Sequence, residues 1–184
     1  MGDTNLELNE RKMANAILYF IEHTGPSLGK IKLWKLLYFA DFRHYAEHGR
    51  PITGEMYVRY PHGPLPSRGE LVLKKMKQEQ QVRINMSPVG TYQRYDFEPL
   101  SACDTELFDS TELQTLAAVA AQWRDEPGCR LERASHQEAP WLAAKEFAYL
   151  DYRLAVCSEP LPVEPEDEQL ESSPALDEIL RDLS

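Results

Sequence analysis

Lys32-Leu33-Trp34-Lys35-Leu36-Leu37-Tyr38-Phe39-Ala40-Asp41-Phe42-Arg43-His44-Tyr45-Ala46-Glu47-His48-Gly49-Arg50-Pro51-Ile52-Thr53 is the stretch on which the fold turns. At helical spacing Leu33, Leu37 and Ala40 form one line, with Trp34, Tyr38, Phe42 and Tyr45 beside it. Leu36 and Phe39 fill much of the remaining circumference. A helix apolar on nearly every side must be surrounded by other elements, so this segment is read as the central helix of a core. Gly49 is free to take the left-handed conformation that closes a helix, and Pro51 prevents a restart.

The elements around it follow from periodicity and breakers. Residues 6 to 23 read as a helix with Met13, Ile17, Phe20 and Ile21 on one face, stopped by Thr24-Gly25-Pro26. After Pro51, Met56, Val58 and Tyr60 alternate with Tyr57 and Arg59, as in a strand. Tyr60 to Pro66 holds three prolines and is expected as a stiff loop. Ser67 with Glu70 predicts a capping box for a helix ending near Gln80. Val82 to Met86 and Tyr92 to Phe97 form a hairpin pattern. Asp109 or Ser110 caps a helix carrying Leu113, Leu116, Ala117, Ala120 and Trp123, and short helices follow at 130–137 and after Pro140. The stretch from Tyr149 to Val156 fits helix and strand equally. The fold class is therefore mainly α (α+β): a compact helical domain over 1–157 around a buried central helix, with a small antiparallel sheet or hairpin. Residues 158–184 are expected as a disordered acidic tail.

Charge and composition narrow the function. The 184 residues are 42% hydrophobic and 27% charged, ordinary for a soluble domain. The net charge is −10, of which the nine acids and one base beyond Cys157 supply −8. Neither part has a basic field, so direct nucleic acid binding is not expected. No apolar run reaches the roughly 20 residues of a membrane span, and the N-terminus lacks the basic start and apolar core of a signal peptide. Cys103, Cys129 and Cys157 are too few and too scattered for a disulfide or zinc framework. A cytoplasmic protein is expected. Within the tail, Leu176, Ile179, Leu180 and Leu183 recur at helical spacing between acids. They are either the frayed end of a solubilising tail or a short motif that folds in a partner groove.

Three motifs invite chemical readings. His44-Tyr45-Ala46-Glu47-His48 matches the H-x-x-E-H pattern of a metal-dependent hydrolase, in which the two histidines share a zinc and Glu47 acts as base. Against this, both histidines occupy the last turn before Gly49, where the helix dipole favours such side chains. Ser135-His136 cannot be a nucleophile and its base, because adjacent helical residues diverge. Asp41, flanked by apolar residues, must be paired or hydrogen-bonded; Lys35, Arg43, Arg59 and the 61–66 backbone are candidate partners. No catalytic centre, cofactor site or metal site emerges, and a non-enzymatic protein is expected.

Leu33-Trp34-Lys35-Leu36-Leu37-Tyr38-Phe39-Ala40-Asp41 resembles the K-L-x-K-L-L-Y-F-A-D signature of the SocA-like, or Panacea, domain family. Gly49 to Glu55, including Gly54, resembles its G-x-P-(I/L)-x-G segment, and Gly63-Pro64 its y-G-P-v loop. Ser135-His136 with Trp141 resembles its S-H-x-x-x-x-W stretch, and the likeness spans about residues 8 to 150 in order. The resemblance implies a mostly helical bacterial or phage-associated protein that neutralises a cognate toxin by direct binding. One branch of the family instead delivers its toxin to the ClpXP protease, which makes a ClpXP-type protease an alternative partner and a proteolytic adaptor the alternative function. Some members carry an added helix-turn-helix; here the family block begins almost at the N-terminus, so none is expected. The signature residues are mainly those a buried helix requires. Partner contacts are expected on exposed neighbours: Tyr57, Tyr92 and Tyr95, whose rings give large contact area at low entropy cost, and the tail leucines and Ile179.

Overall fold

The computed structural model describes residues 6–25, 28–90 and 92–157. Its elements in chain order are α1 (Glu10–Thr24), α2 (Lys30–His48), β1 (Tyr57–Tyr60), β2 (Gly63–Pro66), α3 (Gly69–Gln78), β3 (Val82–Val89), β4 (Tyr92–Pro99), α4 (Ser110–Trp123), α5 (Gly128–Ser135) and α6 (Ala139–Ala143). Two 3-10 segments, Thr105–Leu107 and Tyr152–Cys157, complete the set. The fold is mainly α with two small antiparallel ribbons, in agreement with the periodicity.

The central helix is α2. Leu33, Trp34, Leu36, Leu37, Tyr38, Phe39, Ala40 and Phe42 are all buried, because α1, α4, α5, β2 and the 152–157 segment pack around it. Aromatic rings hold one side together: Phe42 stacks on Tyr152 at 4.2 Å and lies 4.5 Å from Tyr38, and Phe39 stacks on Trp123 at 5.1 Å. Gly49 closes the helix at φ 74°, its N–H reaching the Tyr45 carbonyl at 2.8 Å. At the start, α2 extends back to Lys30 on Gly29. The first helix begins at Glu10 rather than near residue 6, because the Asn9 side chain caps it by accepting from the Lys12 N–H.

Two local expectations are corrected. The proline-rich stretch is not a loop throughout: Gly63–Pro66 is strand β2, paired with β1 as Tyr57↔Pro66, Val58↔Leu65, Arg59↔Pro64 and Tyr60↔Gly63. The prolines are tolerated because they face residues whose backbone turns the other way. Arg59 donates to the Ala148 carbonyl and accepts from the Phe147 N–H, while Tyr57 accepts from the Leu150 N–H. No donor is therefore needed at Pro64 or Pro66. The second correction is the Ser67–Glu70 capping box, which does not form. The Ser67 hydroxyl donates to Glu55 at 3.0 Å and Glu70 pairs with Lys30 at 2.7 Å, so α3 starts after Arg68 instead. A capping box does form at α4 between Asp109 and Glu112.

The ambiguous stretch near the end divides. After a turn at residues 146–147 the chain runs along the free edge of β1 through residues 148–150, with Val58↔Tyr149 as an antiparallel bridge, and then coils into Tyr152–Cys157. β3 and β4 pair over eight residues each, from Val82↔Pro99 to Val89↔Tyr92. Among the described residues no helix is long and apolar enough to cross a membrane. The acidic tail lies outside the described residues.

Candidate functional site

Asp41 sits fully buried on α2 and fastens the 51–57 segment. One carboxylate oxygen accepts the Thr53 N–H at 2.7 Å; the other accepts the Thr53 hydroxyl and, at 2.8 Å, the Tyr57 hydroxyl. None of the basic residues considered from sequence is its partner. Burial raises its carboxyl to about 6, against the lowering effect of these hydrogen bonds. Tyr57 is thereby corrected from a surface contact to a core residue: it is 1% exposed because its hydroxyl must reach Asp41. Gly54, at φ 73°, brings the chain so close to the Glu7 carbonyl that a side chain has no room. Glu55 closes the same knot by accepting from Met56 N–H, Ser67 hydroxyl and Arg68 N–H, while its own carbonyl accepts from the Tyr152 hydroxyl at 2.6 Å.

A second knot forms nearly two turns earlier on α2. The Lys35 ammonium is fully buried and donates to the Pro64 carbonyl at 2.9 Å; burial pushes it down to about 7, with the charge of Glu132 opposing. Gly63 lies at φ 94°, and a Cβ there would stand 2.5 Å from Lys35 Nζ and 2.7 Å from Ser135 Oγ. Ser135 donates to the Glu132 carbonyl of its own helix at 2.8 Å, so its hydroxyl is occupied. His62 Nδ1 stands 3.0 Å from Glu132. The Tyr38 hydroxyl donates to Glu138 at 2.7 Å, and burial raises that carboxyl to about 7, Tyr38 working against the shift.

His136 stacks on Trp141 with ring centroids 4.1 Å apart, and the Arg59 guanidinium lies 3.9 Å from the indole centre. Two groups cannot share one face at those distances, so the indole is held between imidazole and guanidinium. Burial first, then the charges of Lys35, His62 and Arg59, push His136 down to about 4. The ring stays neutral and acts as a packing surface. Tertiary packing thus gathers Lys35, Tyr38, Gly63, Pro64, Ser135, His136 and Trp141 around the first half of α2, and Asp41 and Gly54 further along it. Leu33, Leu36 and Leu37 lie within the core.

The H-x-x-E-H motif is taken up by the fold in the same way. His44 is buried, one ring nitrogen 2.7 Å from the Arg50 carbonyl and the other 3.1 Å from the Thr111 hydroxyl. Glu47 accepts from Arg43 at 3.0 Å. Among the described residues no group of three or more His, Cys, Asp or Glu side chains is disposed to hold a metal ion.

A family model described as "Antitoxin SocA-like, Panacea domain" matches residues 33–142, more than half of the chain. The chain belongs to the Panacea family. No curated protein and no solved structure matches it. The matched span of this Panacea domain runs from α2 into α6 and includes every signature residue described above.

Where the chain runs beyond the matched span, Phe147 and Tyr149 of the Panacea domain lie along the outer edge of β1. The bridge Val58↔Tyr149 and the pairing Val58↔Leu65 put Leu65, Val58 and Tyr149 in one cross-strand row. In the next row Phe147 meets Tyr60 edge-on at 5.5 Å. Phe147 is 61% exposed and Tyr149 59%, with Leu142 of α6 and Val156 of the 152–157 segment similarly bare. Phe147 also holds a left-handed φ of 61°, which an aromatic residue rarely adopts. These residues were not singled out from sequence. The alternation Phe147, Tyr149 was the available signal, but it reads as a strand only beside the β1 edge. Of the tyrosines chosen instead, Tyr95 is half-buried, with Lys30 Nζ 4.9 Å from its ring centre, and Tyr92 opens β4 opposite Val89. Leu176, Ile179, Leu180 and Leu183 lie outside the described residues.

Proposed function

We propose that this chain is an antitoxin-type protein that neutralises a cognate protein toxin by direct, non-enzymatic binding. Membership of the SocA-like antitoxin family carries the reading. The geometry is consistent with it: Lys35 and Asp41 spend their polar groups holding α2 to β2 and to the 51–57 segment, Tyr38 donates to Glu138, and His136 Nε2 and Trp141 Nε1 are buried without a hydrogen-bond partner. The contact surface is then the exposed aromatic pair Phe147 and Tyr149, beside the half-buried Tyr60 ring, since large aromatic side chains dominate binding energy at protein interfaces.

Co-expression with the protein encoded by the neighbouring reading frame tests this. Growth arrest by that protein alone, relief on co-expression, and a complex that co-purifies are the expected results. Unrelieved arrest and no complex would overturn the reading.

A further inference from the structure

Among the described residues β3 and β4 form a ribbon of two strands with no third. Ile84 and Met86 lie on one face of it, and Arg83, Asn85 and Ser87 on the other. The Leu100 N–H donates to the Gln81 carbonyl at 2.9 Å, in register with the ladder, so the odd-numbered residues of β3 are those bonded to β4. The N–H and C=O groups of Ile84 and Met86 therefore point the other way, along the outer edge of β3. No other element among the described residues bonds to them. Pro88 belongs to the same outward set, where its missing N–H costs the ladder nothing. The strand leaves the core as it runs: Val82 is buried, Ile84 partly so, and Met86 is 62% exposed. Residues 84–87 carry no charge and the register has no bulge, so this edge lacks the usual guards against a further strand. A two-stranded ribbon is also only marginally stable by itself in water.

We infer that the edge of β3 is a self-association site, occupied by β3 of a second copy of this chain running antiparallel about a two-fold axis at Asn85. The product is a four-stranded sheet in the order β4, β3, β3, β4. The residues single out this register. With Asn85 facing its own mate, Ile84 stands opposite the partner's Met86, and each such pair exchanges backbone bonds in both directions. An axis at Met86 would instead set Pro88 against Ile84 and lose a donor. An axis at Ile84 would drive Met86 toward Val82 at the buried base of the strand. Charge favours the same contact. The chain carries −10 overall, yet residues 82–99 hold Arg83 and Arg94 against Asp96 and Glu98 and are neutral. Across the axis Arg83 lies opposite the partner's Ser87, so no like charges face each other. Two copies of an acidic chain repel least at a neutral strip. The contact is short, which places the dimer in the weak, concentration-dependent class. It rests on backbone geometry and is independent of the antitoxin reading.

Sedimentation of the full chain from micromolar to millimolar concentration tests this, with the mass expected to rise from one chain to two. Hydrogen exchange at the Ile84 and Met86 amides should slow over the same range. Asn85→Lys sets two ammonium groups against each other at the axis and should weaken dimerisation about tenfold or more. Asn85 is exposed, so the core is untouched, and unchanged exchange in α2 reports that. Asn85→Cys gives a second readout. Directly opposed residues of this kind have Cα atoms about 4.5 Å apart, within disulfide reach. Oxidised glutathione should therefore cross-link Asn85→Cys to its mate, whereas Ser87→Cys, too far from its own mate to bridge, should not. Both variants keep Cys103, Cys129 and Cys157, so the native thiols contribute equally. A single chain at millimolar concentration would overturn the inference. So would equal cross-linking at both positions, or a dimer indifferent to Asn85→Lys. Protection of Ile84 and Met86 that does not change with concentration would place the edge under another part of the same chain. Protection gained only on adding a different protein would assign it to a foreign strand; either result would overturn self-pairing.

Discussion

Lys35, Gly63 and Glu138 show how single residues are constrained by what the fold has buried around them. At Gly63 the left-handed φ and the two polar atoms waiting where a Cβ would stand act together. Gly63→Ala is expected to cost about 2 kcal/mol or more, read as a lower urea midpoint, because the buried Lys35 stem cannot swing clear. Glu138 carries a different penalty. Its carboxyl is raised from 4.5 to about 7, so between those values the native state holds a proton that the unfolded chain has lost. Stability from this group is therefore fully present below pH 4.5 and declines as pH rises to 7. Glu138→Gln keeps an acceptor for the Tyr38 hydroxyl and removes the buried charge. The variant should match the parent near pH 4.5 and exceed it by about 2 kcal/mol at pH 8, measured by denaturation at both. Equal stability of the two at pH 8 would show that the carboxylate is better solvated than its burial indicates.

At the scale of elements, the domain depends on how α2 is joined to segments that have little regular structure of their own. Asp41 is the joint between α2 and the turn that leads into β1. Its removal strands the Thr53 N–H, the Thr53 hydroxyl and the Tyr57 hydroxyl in the core together. Asp41→Ala should destabilise by about 3 kcal/mol, and Asp41→Asn by less, since one acceptor oxygen is retained; thermal unfolding of the pair distinguishes them. The other joint is the α4 N-terminus, where Asp109 caps the helix and also pairs with Arg50, just past the end of α2. Asp109→Ala should lower stability by about 1 kcal/mol, the loss of the cap setting the size because the ion pair is half exposed. Here the sequence was legible: the Gly49 stop, the α1 face and a cap at Asp109 or Ser110 were all read from local pattern, and the structure places the cap at Asp109. The β2 strand was not, since prolines argue against a strand until the opposing backbone is known to turn away.

For the whole molecule, stability and binding should separate on the aromatic face. Phe147 is bare and its backbone is strained, so it contributes little to the core. Phe147→Gly relieves the left-handed φ and should leave the protein as stable or about 1 kcal/mol more stable. Under the antitoxin function proposed above, the same change should abolish or sharply weaken neutralisation of a protein toxin, scored by growth rescue on co-expression. Loss of stability together with rescue would mean that the ring is a packing residue after all. A gain in stability with unchanged rescue would move the contact surface elsewhere.

The amino-acid order alone determined that residues 32–48 form a helix apolar on nearly every side, that other elements must surround it, and which family signature it carries. Those are properties of spacing and of breakers along the chain, and they need no partner to be visible. Tertiary structure decided where the polar signature residues spend their hydrogen bonds. Lys35 faces Pro64 and Asp41 faces Thr53 and Tyr57 because the turn after α2 folds back across it, a contact that no local pattern encodes. The same folding back took Tyr57 inside and left Phe147 and Tyr149 outside. Aromatic residues in alternating strands look alike in sequence. Which face is covered depends on the neighbour that pairs with the strand and on the helix beneath it.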